Sequence, residues 1–399
     1  MTAEKRENMK TLIELYDDCP IENVLSADTF RPERTVYLCP EEIARDKEKQ
    51  KRLQEYFTHR GLQMETVFLN TSLYYADKVR RQLQSVVEKY PDCAVDIAGG
   101  SDAALFAAGY FCRETDIPVF THSRKKQMFY NINRAEFADR LPFSVSYSVE
   151  DLFMMGFGTV KQGRVDNSIL VSHEELIEPF FEFYIMYRRK WKQIVNWFQR
   201  ASQADKNGKI PLSVHSDYYV KGERGSTIAA NEGALRGLER LEFIYDLVIR
   251  KDESVSFRFR DELVRYWLRD QGSVLEVYVW KNCHDAGIFH DVCCSTVVEW
   301  DKRESGERIT NEIDVVAVED KSTPVFISCK TCAVDTDAIN ELAILRDRFG
   351  GDGAKAFIVT TESCRAITRR RAKALKMDII TLDDLRSADL AELIRTMAM

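Results

Sequence analysis

NEIDVVAVEDKSTPVFISCKTCAVDTDAINE, residues Asn311 to Glu341, is the stretch from which the rest of the chain is read. Alternation over Asn311–Val318 predicts a strand with Glu312 and Asp314 on one face and Ile313, Val315 and Ala317 on the other. After a turn at Asp320–Pro324, a second strand, Val325–Lys330, sets Phe326, Ser328 and Lys330 against Val325, Ile327 and Cys329. A helix from about Thr336 carries Leu342, Leu345 and Phe349 as its buried stripe, with Glu341 beside the stripe and Gly350-Gly351 ending it. Carboxylates are hard oxygen ligands suited to Mn2+ or Mg2+, and a nearby lysine orients water or offsets phosphate charge. That combination suits phosphodiester hydrolysis. The bland alternative is a hairpin with a surface Asp–Lys pair.

The flanks extend the pattern. Asp261–Trp280 reads as helical, interrupted or capped at Gly272, with Leu275 and Val279 apolar and Glu276 among them as a further candidate metal ligand. A strand at Asp291–Glu299 follows, and beyond Glu341 come a strand at Ala354–Thr360, a basic helix and a short strand at Asp378–Leu382.

This segment resembles the restriction-endonuclease-like, PD-(D/E)xK nuclease core, whose usual signature is Asp on one strand and Glu-x-Lys on the next. Ser328 stands in the glutamate position, so Asp314, Ser328, Lys330 and Glu341 resemble the version in which the following helix supplies the glutamate. The resemblance implies Asp314, Glu341 and Glu276 as ligands of Mn2+ or Mg2+, and Lys330 as the group that positions water or steadies the phosphorane. Glu312 is implied as a further ligand or supporting base. Ser328 either bonds a ligand carboxylate or the phosphate, or is simply a small strand residue.

At 399 residues, 45% hydrophobic and 30% charged, the chain has room for two or three domains and fits no fibrous or disordered class. Its first residues lack an apolar signal core and no run reaches membrane-spanning length, so a cytoplasmic protein without membrane contact is expected. Ten scattered cysteines suggest reduced core thiols. A net charge of −7 means that any nucleic-acid affinity must come from local basic surfaces. The helix Ser363–Lys376, with Arg365, Arg369, Arg370, Arg371, Lys373 and Lys376, is a candidate backbone groove or a solvated face.

Residues 1–150 are expected to form one domain, and within it residues 21 to 146 alternate strands with helices. Strands are expected at Asn23–Ala27, Thr35–Leu38, Glu65–Leu69, Ala94–Ala98 and Val119–His122, which argues an α/β domain with a doubly wound parallel sheet. Such sheets take ligands beyond the carboxyl ends of their strands. At Ala98–Asp102, Gly99 and Gly100 allow backbone N–H groups close to an anion at the start of a helix; equally, they make a tight turn with Ser101 or Asp102 as N-cap.

The sequence DIAGGSDAALFAAG resembles the ligand-binding turn of the CRISPR-associated Rossmann-fold (CARF) domains. The resemblance implies that cyclic oligoadenylate is contacted by Gly99, Gly100, Ser101 and Asp102, and by Ser26, Asp28 and Thr29 at the end of the first strand. A symmetric ring implies a homodimer.

Residues 151–260 read as a connector. An aromatic-rich helix, Glu174–Arg200, precedes a polar linker, Gln203–Lys209, with an Asn207-Gly208 turn. A helix at Asn231–Tyr245 and strands at Asp246–Arg250 and Ser254–Arg260 then give a winged-helix-like pattern. Residues 261–399 form the nuclease-like part.

Taken together, the halves resemble the CARF-containing ancillary nucleases of type III CRISPR defence. The matching segments are Gly272-Ser273-Val274-Leu275-Glu276, Asn311-Glu312-Ile313-Asp314 and Ile327-Ser328-Cys329-Lys330, with Val274 replacing the family's tryptophan. The resemblance implies a homodimeric, metal-dependent nuclease switched on by cyclic tetra-adenylate. DNA or single-stranded RNA is the expected substrate, and the lack of aromatic residues along the basic helix argues low sequence specificity. Competing readings are a ligand-responsive transcriptional regulator, a zinc site among Cys283, His284, His290, Cys293 and Cys294, a redox pair Cys329/Cys332, and an Arg52/His59 ribonuclease pair. Their spacing and setting make each weaker than the nuclease reading.

Overall fold

A computed structural model of the chain describes residues 9–161, 167–206, 208–222, 225–302, 308–319, 322–351 and 353–398. Asp320, Lys321 and Asn207, which bear on two of the expected turns, lie outside them.

The N-terminal sheet contains β1 Thr11–Leu15, β2 Arg34–Cys39, β3 Glu65–Asn70, β4 Cys93–Asp96, β5 Val119–Ser123 and β6 Met128–Asn133, in the order β3-β2-β1-β4-β5-β6. The first five are parallel; β6 runs antiparallel to β5. Both faces are covered. Leu12, Tyr37, Ala94 and Phe120 pack on one side, and Ile13, Leu15, Val36 and Val95 on the other. This explains a central strand, TLIEL, that is buried along its whole length without alternation. The strand order reverses between β1 and β4, leaving a crevice beyond their carboxyl ends.

The first strand is not where the sequence pattern puts it. Asn23–Ala27 is not extended: Pro20–Asn23 is a 3-10 turn and Leu25–Phe30 an α-helix, while the true first strand is Thr11–Leu15. Pairing of β1 with both β2 and β4 decides the matter, and a five-residue run with polar Thr11 and Glu14 in it does not announce its partners.

In the middle, the single helix expected over Glu174–Arg200 is two, Glu174–Tyr187 and Trp191–Ala201, separated by a 3-10 turn at Arg188–Lys190. The strands β7 Thr159–Lys161, β8 Ser213–Asp217, β9 Tyr219–Lys221, β10 Thr227–Ala229, β11 Ile244–Arg250 and β12 Ser254–Phe259 follow in chain order. β11, β12 and β8 form a small antiparallel sheet beside the helix Glu232–Arg240, and β9 pairs with β10.

The C-terminal sheet adds β13 Phe289–Lys302, β14 Arg308–Glu319, β15 Thr323–Lys330, β16 Lys355–Thr360 and β17 Asp378–Ile380, in the order β17-β16-β15-β14-β13-β7. The helix Ser273–Ala286 packs on one face over Val315, Ala317 and Ile327; the helix Thr336–Gly350 packs on the other over Val316, Val318 and Phe326. One expected face is corrected: Ile313 joins the Val316 cluster rather than that of Val315 and Ala317. Pairing of β14 with β15 stops at Val315–Ile327, so the chain before Val315 is free to twist away from β15.

The halves share structure. β7, from the stretch expected to be connector, is the edge strand of the C-terminal sheet, paired with Val297–Glu299. The helix Val149–Met155 places Phe153 against Phe349, ring centroids 4.9 Å apart. Gly351, at φ 59°, has no room for a side chain: a Cβ there would stand 2.3 Å from Cys19 Sγ. The tip of the Glu341 helix therefore rests on the residue that follows the β1 crevice.

Candidate active site and N-terminal crevice

Five of the six expected catalytic residues line one small cavity of about 40 Å³: Glu312, Asp314, Ser328, Lys330 and Glu341, closed below by Leu342 and Leu345. Local structure explains the convergence. β14 and β15 diverge just past Val315–Ile327, and Asp314 fills the gap: its Oδ2 accepts from Cys329 N at 2.6 Å and from Ser328 Oγ at 3.1 Å. Glu341 comes from the overlying helix, and Asn311 Nδ2 donates to its Oε1 at 2.9 Å.

Glu276 approaches from the helix Ser273–Ala286, outside the lining of that cavity but close enough to Asp314 for their charges to interact. Ser295 Oγ donates to Glu276 Oε2 at 3.0 Å. Burial, then the negative charges of Asp314 and Asp270, push the Glu276 carboxyl up to about 8, opposed by the Ser295 bond. Asp314 is also raised, by burial above all, although Lys330 and its two hydrogen bonds pull the other way. Carboxylates that resist ionising together are what a divalent cation relieves. The hard oxygen donors of Asp314, Glu276 and Glu341 fit Mn2+ or Mg2+, although among the described residues no three His, Cys, Asp or Glu side chains form a ready-made metal cage.

In the N-terminal crevice, Gly99, Gly100 and Ser101 form the turn after β4. A Cβ on Gly99 would meet Leu15 O at 2.7 Å, and Gly100 takes φ 90°. Ser101 caps the helix Asp102–Thr115 by accepting from Ala104 N at 3.3 Å, and its hydroxyl donates to Leu73 O; Asp102 is exposed in the first turn. Asp17, missed in the sequence, ties this turn to β1: its Oδ2 accepts from Gly100 N at 2.9 Å and its Oδ1 from Cys19 N at 2.8 Å. Tyr16, Asp17, Asp18, Tyr74, Lys78 and Gly100 are among the residues lining a cavity of about 580 Å³.

Ser26, Asp28 and Thr29 are elsewhere. All three are buried on the helix Leu25–Phe30; Ser26 bonds Asp96, and Asp28 bonds Tyr56 and lies 3.9 Å from Arg60. The strand-end position assigned to them belongs to Tyr16, Asp17 and Asp18.

The weaker candidates find ordinary roles. Cys293 and Cys294 point into different cores, Cys283 is buried, and the ring of His284 packs on Trp280. Cys329 is buried and Cys332 exposed, both free thiols. Arg52 bonds the Phe157 carbonyl, and His59 lies 3.5 Å from Asp151. On the basic helix, Arg369 bonds Ile379 O and Arg371 bonds Asn340 Oδ1.

This carboxylate–lysine cluster falls within a stretch that a family model covers. Residues 261–398 match the family model of the Card1-like endonuclease domain. The chain also superposes on protein VC1899 from Vibrio cholerae, with a TM-score of 0.70 over 97% of each chain at 15% identity. Against Can2 from Sulfobacillus thermosulfidooxidans in complex with cyclic tetra-adenylate, the TM-score is 0.69 over 99% of each chain, again at 15% identity. These likenesses extend the shared fold from the Card1-like segment to the N-terminal sheet. No curated protein matches in sequence. Among the described residues, no helix is long and apolar enough to cross a membrane.

Proposed function

We propose that this chain is a nuclease, active as a homodimer, whose N-terminal crevice binds cyclic tetra-adenylate and whose Card1-like domain hydrolyses phosphodiester bonds in DNA or single-stranded RNA. The observation that carries the reading is the meeting of Asp314, Ser328, Lys330 and Glu341 in one cavity of the segment that matches the endonuclease family. The crevice supports the sensing half: a glycine turn at a helix start, where backbone N–H groups suit phosphate, on a fold shared with a protein solved with cyclic tetra-adenylate.

In this reading Asp314, Glu341 and Glu276 hold Mn2+ or Mg2+, which when bound supplies Lewis acidity toward water and phosphate. Lys330 positions the attacking water and offsets charge that builds on the phosphate oxygens. Ser328 and Cys329 N fix the Asp314 carboxylate, and Asn311 and Ser295 aim Glu341 and Glu276. Glu312 supports the same cluster.

Wild type and Lys330→Ala should be compared on supercoiled plasmid, single-stranded DNA and single-stranded RNA, with Mn2+, with and without cyclic tetra-adenylate. Cutting that requires both the ligand and Lys330 is expected. Ligand binding with no cutting of any substrate would sink the nuclease half and favour a ligand-responsive regulator.

A further inference from the structure

A second polar cleft, of about 460 Å³, opens where the connector meets the Card1-like segment, lined by Gln199, Arg200, Gln203, Tyr266, Arg269 and Asp270. Its chemistry is one-sided. The Arg200 and Arg269 side chains have no hydrogen-bond or ion-pair partner among the described residues, and Arg269 Nε is buried without an acceptor. Burial and the neighbouring Arg265 both weaken the hold of Arg269 on its proton. Asp270, the carboxylate in the lining, is already occupied: its Oδ1 accepts from Gly272 N at 2.9 Å and from Ser273 N and Oγ at 2.8 Å each.

Arginine at a helix C-terminus often serves only to balance the dipole. Here both arginines stand at helix ends, yet neither folds back onto the carbonyls. Instead Gln199 Nε2 donates to the Arg269 carbonyl at 2.6 Å, which leaves the guanidinium to the cleft. An unpaired, half-buried guanidinium beside another and beside amide side chains suits a phosphodiester, which offers it two oxygens.

The cleft also lies beside the candidate active site. A Cβ on Gly272 would stand 3.6 Å from Asp270 Oδ1 and 2.6 Å from Glu276 Oε1. The cleft wall and a proposed metal ligand therefore meet at Gly272, close enough for the charge of Asp270 to act on Glu276.

We propose that Arg200 and Arg269 form a phosphate subsite that grips the substrate backbone next to the scissile bond. The proposal rests on the nuclease reading and assigns its substrate a fixed path, across the junction between the connector and the endonuclease segment. The grip is on the backbone, so it carries no base preference.

The test is binding of fluorescein-labelled single-stranded DNA and RNA to the full-length Lys330→Ala protein over a salt series, beside the same protein carrying Arg200→Ala and Arg269→Ala. Each lost phosphate contact should lower the slope of log K against log[salt] by about 0.7. Affinity at low salt should fall about tenfold, because hydrogen bonds to a charged group are lost. Arg200→Glu alone, at an exposed position, should act in the same direction and guards against misfolding of the Arg269 variant. Unchanged slope and affinity, with wild type still cutting, would overturn the subsite and leave the nuclease reading standing. If wild type neither cuts nor binds nucleic acid, both fall.

Discussion

Ser328 Oγ donates to Asp314 Oδ2 at 3.1 Å, so the serine in the customary glutamate position acts on the neighbouring aspartate. Ser328→Ala removes that bond but keeps the one from Cys329 N. A loss of about tenfold in the cleavage rate is expected, the worth of one hydrogen bond to a charged group. Asp314→Asn should cost far more. Single-turnover cleavage with Mn2+ ranks the two, and equal losses would mean that Ser328 does more than hold Asp314.

Lys330→Ala should lower cleavage by about a hundredfold or more, the scale of removing a charge-stabilising group from a phosphoryl site. Binding of cyclic tetra-adenylate should stay unchanged, because Lys330 lines the C-terminal cavity and is not among the residues that line the N-terminal crevice. Calorimetric titration alongside the cleavage assay checks both halves of the statement.

Gly100→Ala should destabilise the N-terminal domain by about 1–3 kcal/mol, since φ 90° is strained for alanine. Its Cβ would also stand 2.8 Å from Leu15 Cβ. Asp17→Ala removes the bond that holds the Gly99–Ser101 turn against β1, and the loosened turn should weaken cyclic tetra-adenylate binding about tenfold. Thermal unfolding and ligand titration separate the two effects.

Stability should depend on pH through the cluster beneath the crevice. Burial raises Asp96 to about 7 against the bonds from Ser26 and Ala98, and raises Glu22 to about 7 against Arg124. Their contribution is fully present below pH 4 and is lost as pH rises through 7. His122, lowered to about 3 by burial and then by Arg124, runs oppositely and loses its contribution as pH falls below 6.5. Asp96→Asn should therefore narrow the difference in Tm between pH 5 and pH 8, with a gain of about 1–3 kcal/mol at pH 8. An unchanged difference would mean that Asp96 ionises freely in the folded state.

The nuclease-like cluster was legible because its residues are local: two neighbouring strands and the next helix carry Asp314, Ser328, Lys330 and Glu341, and alternation with helical spacing brings them together. What escaped was non-local. Asn311 reaches Glu341 across 30 residues, and Asp17 reaches Gly100 across 83. The first strand escaped for a similar reason: TLIEL is entirely buried and shows no alternation, so only its pairing identifies it. The face of Ile313 was misjudged because alternation assumes a ladder that continues, and this one ends two residues later.

The pairing of β7 with β13, joined by Phe153 on Phe349, means that the blade and its handle are cast as one piece. A fragment beginning at residue 261 would expose the Val297–Glu299 edge and uncover Phe349, inviting other strands to add there. Exchange of N-terminal halves between relatives must carry residues 149–161 with the C-terminal partner. Lineages that trade these halves should show their seams before residue 149, rather than at the point where the family resemblance begins.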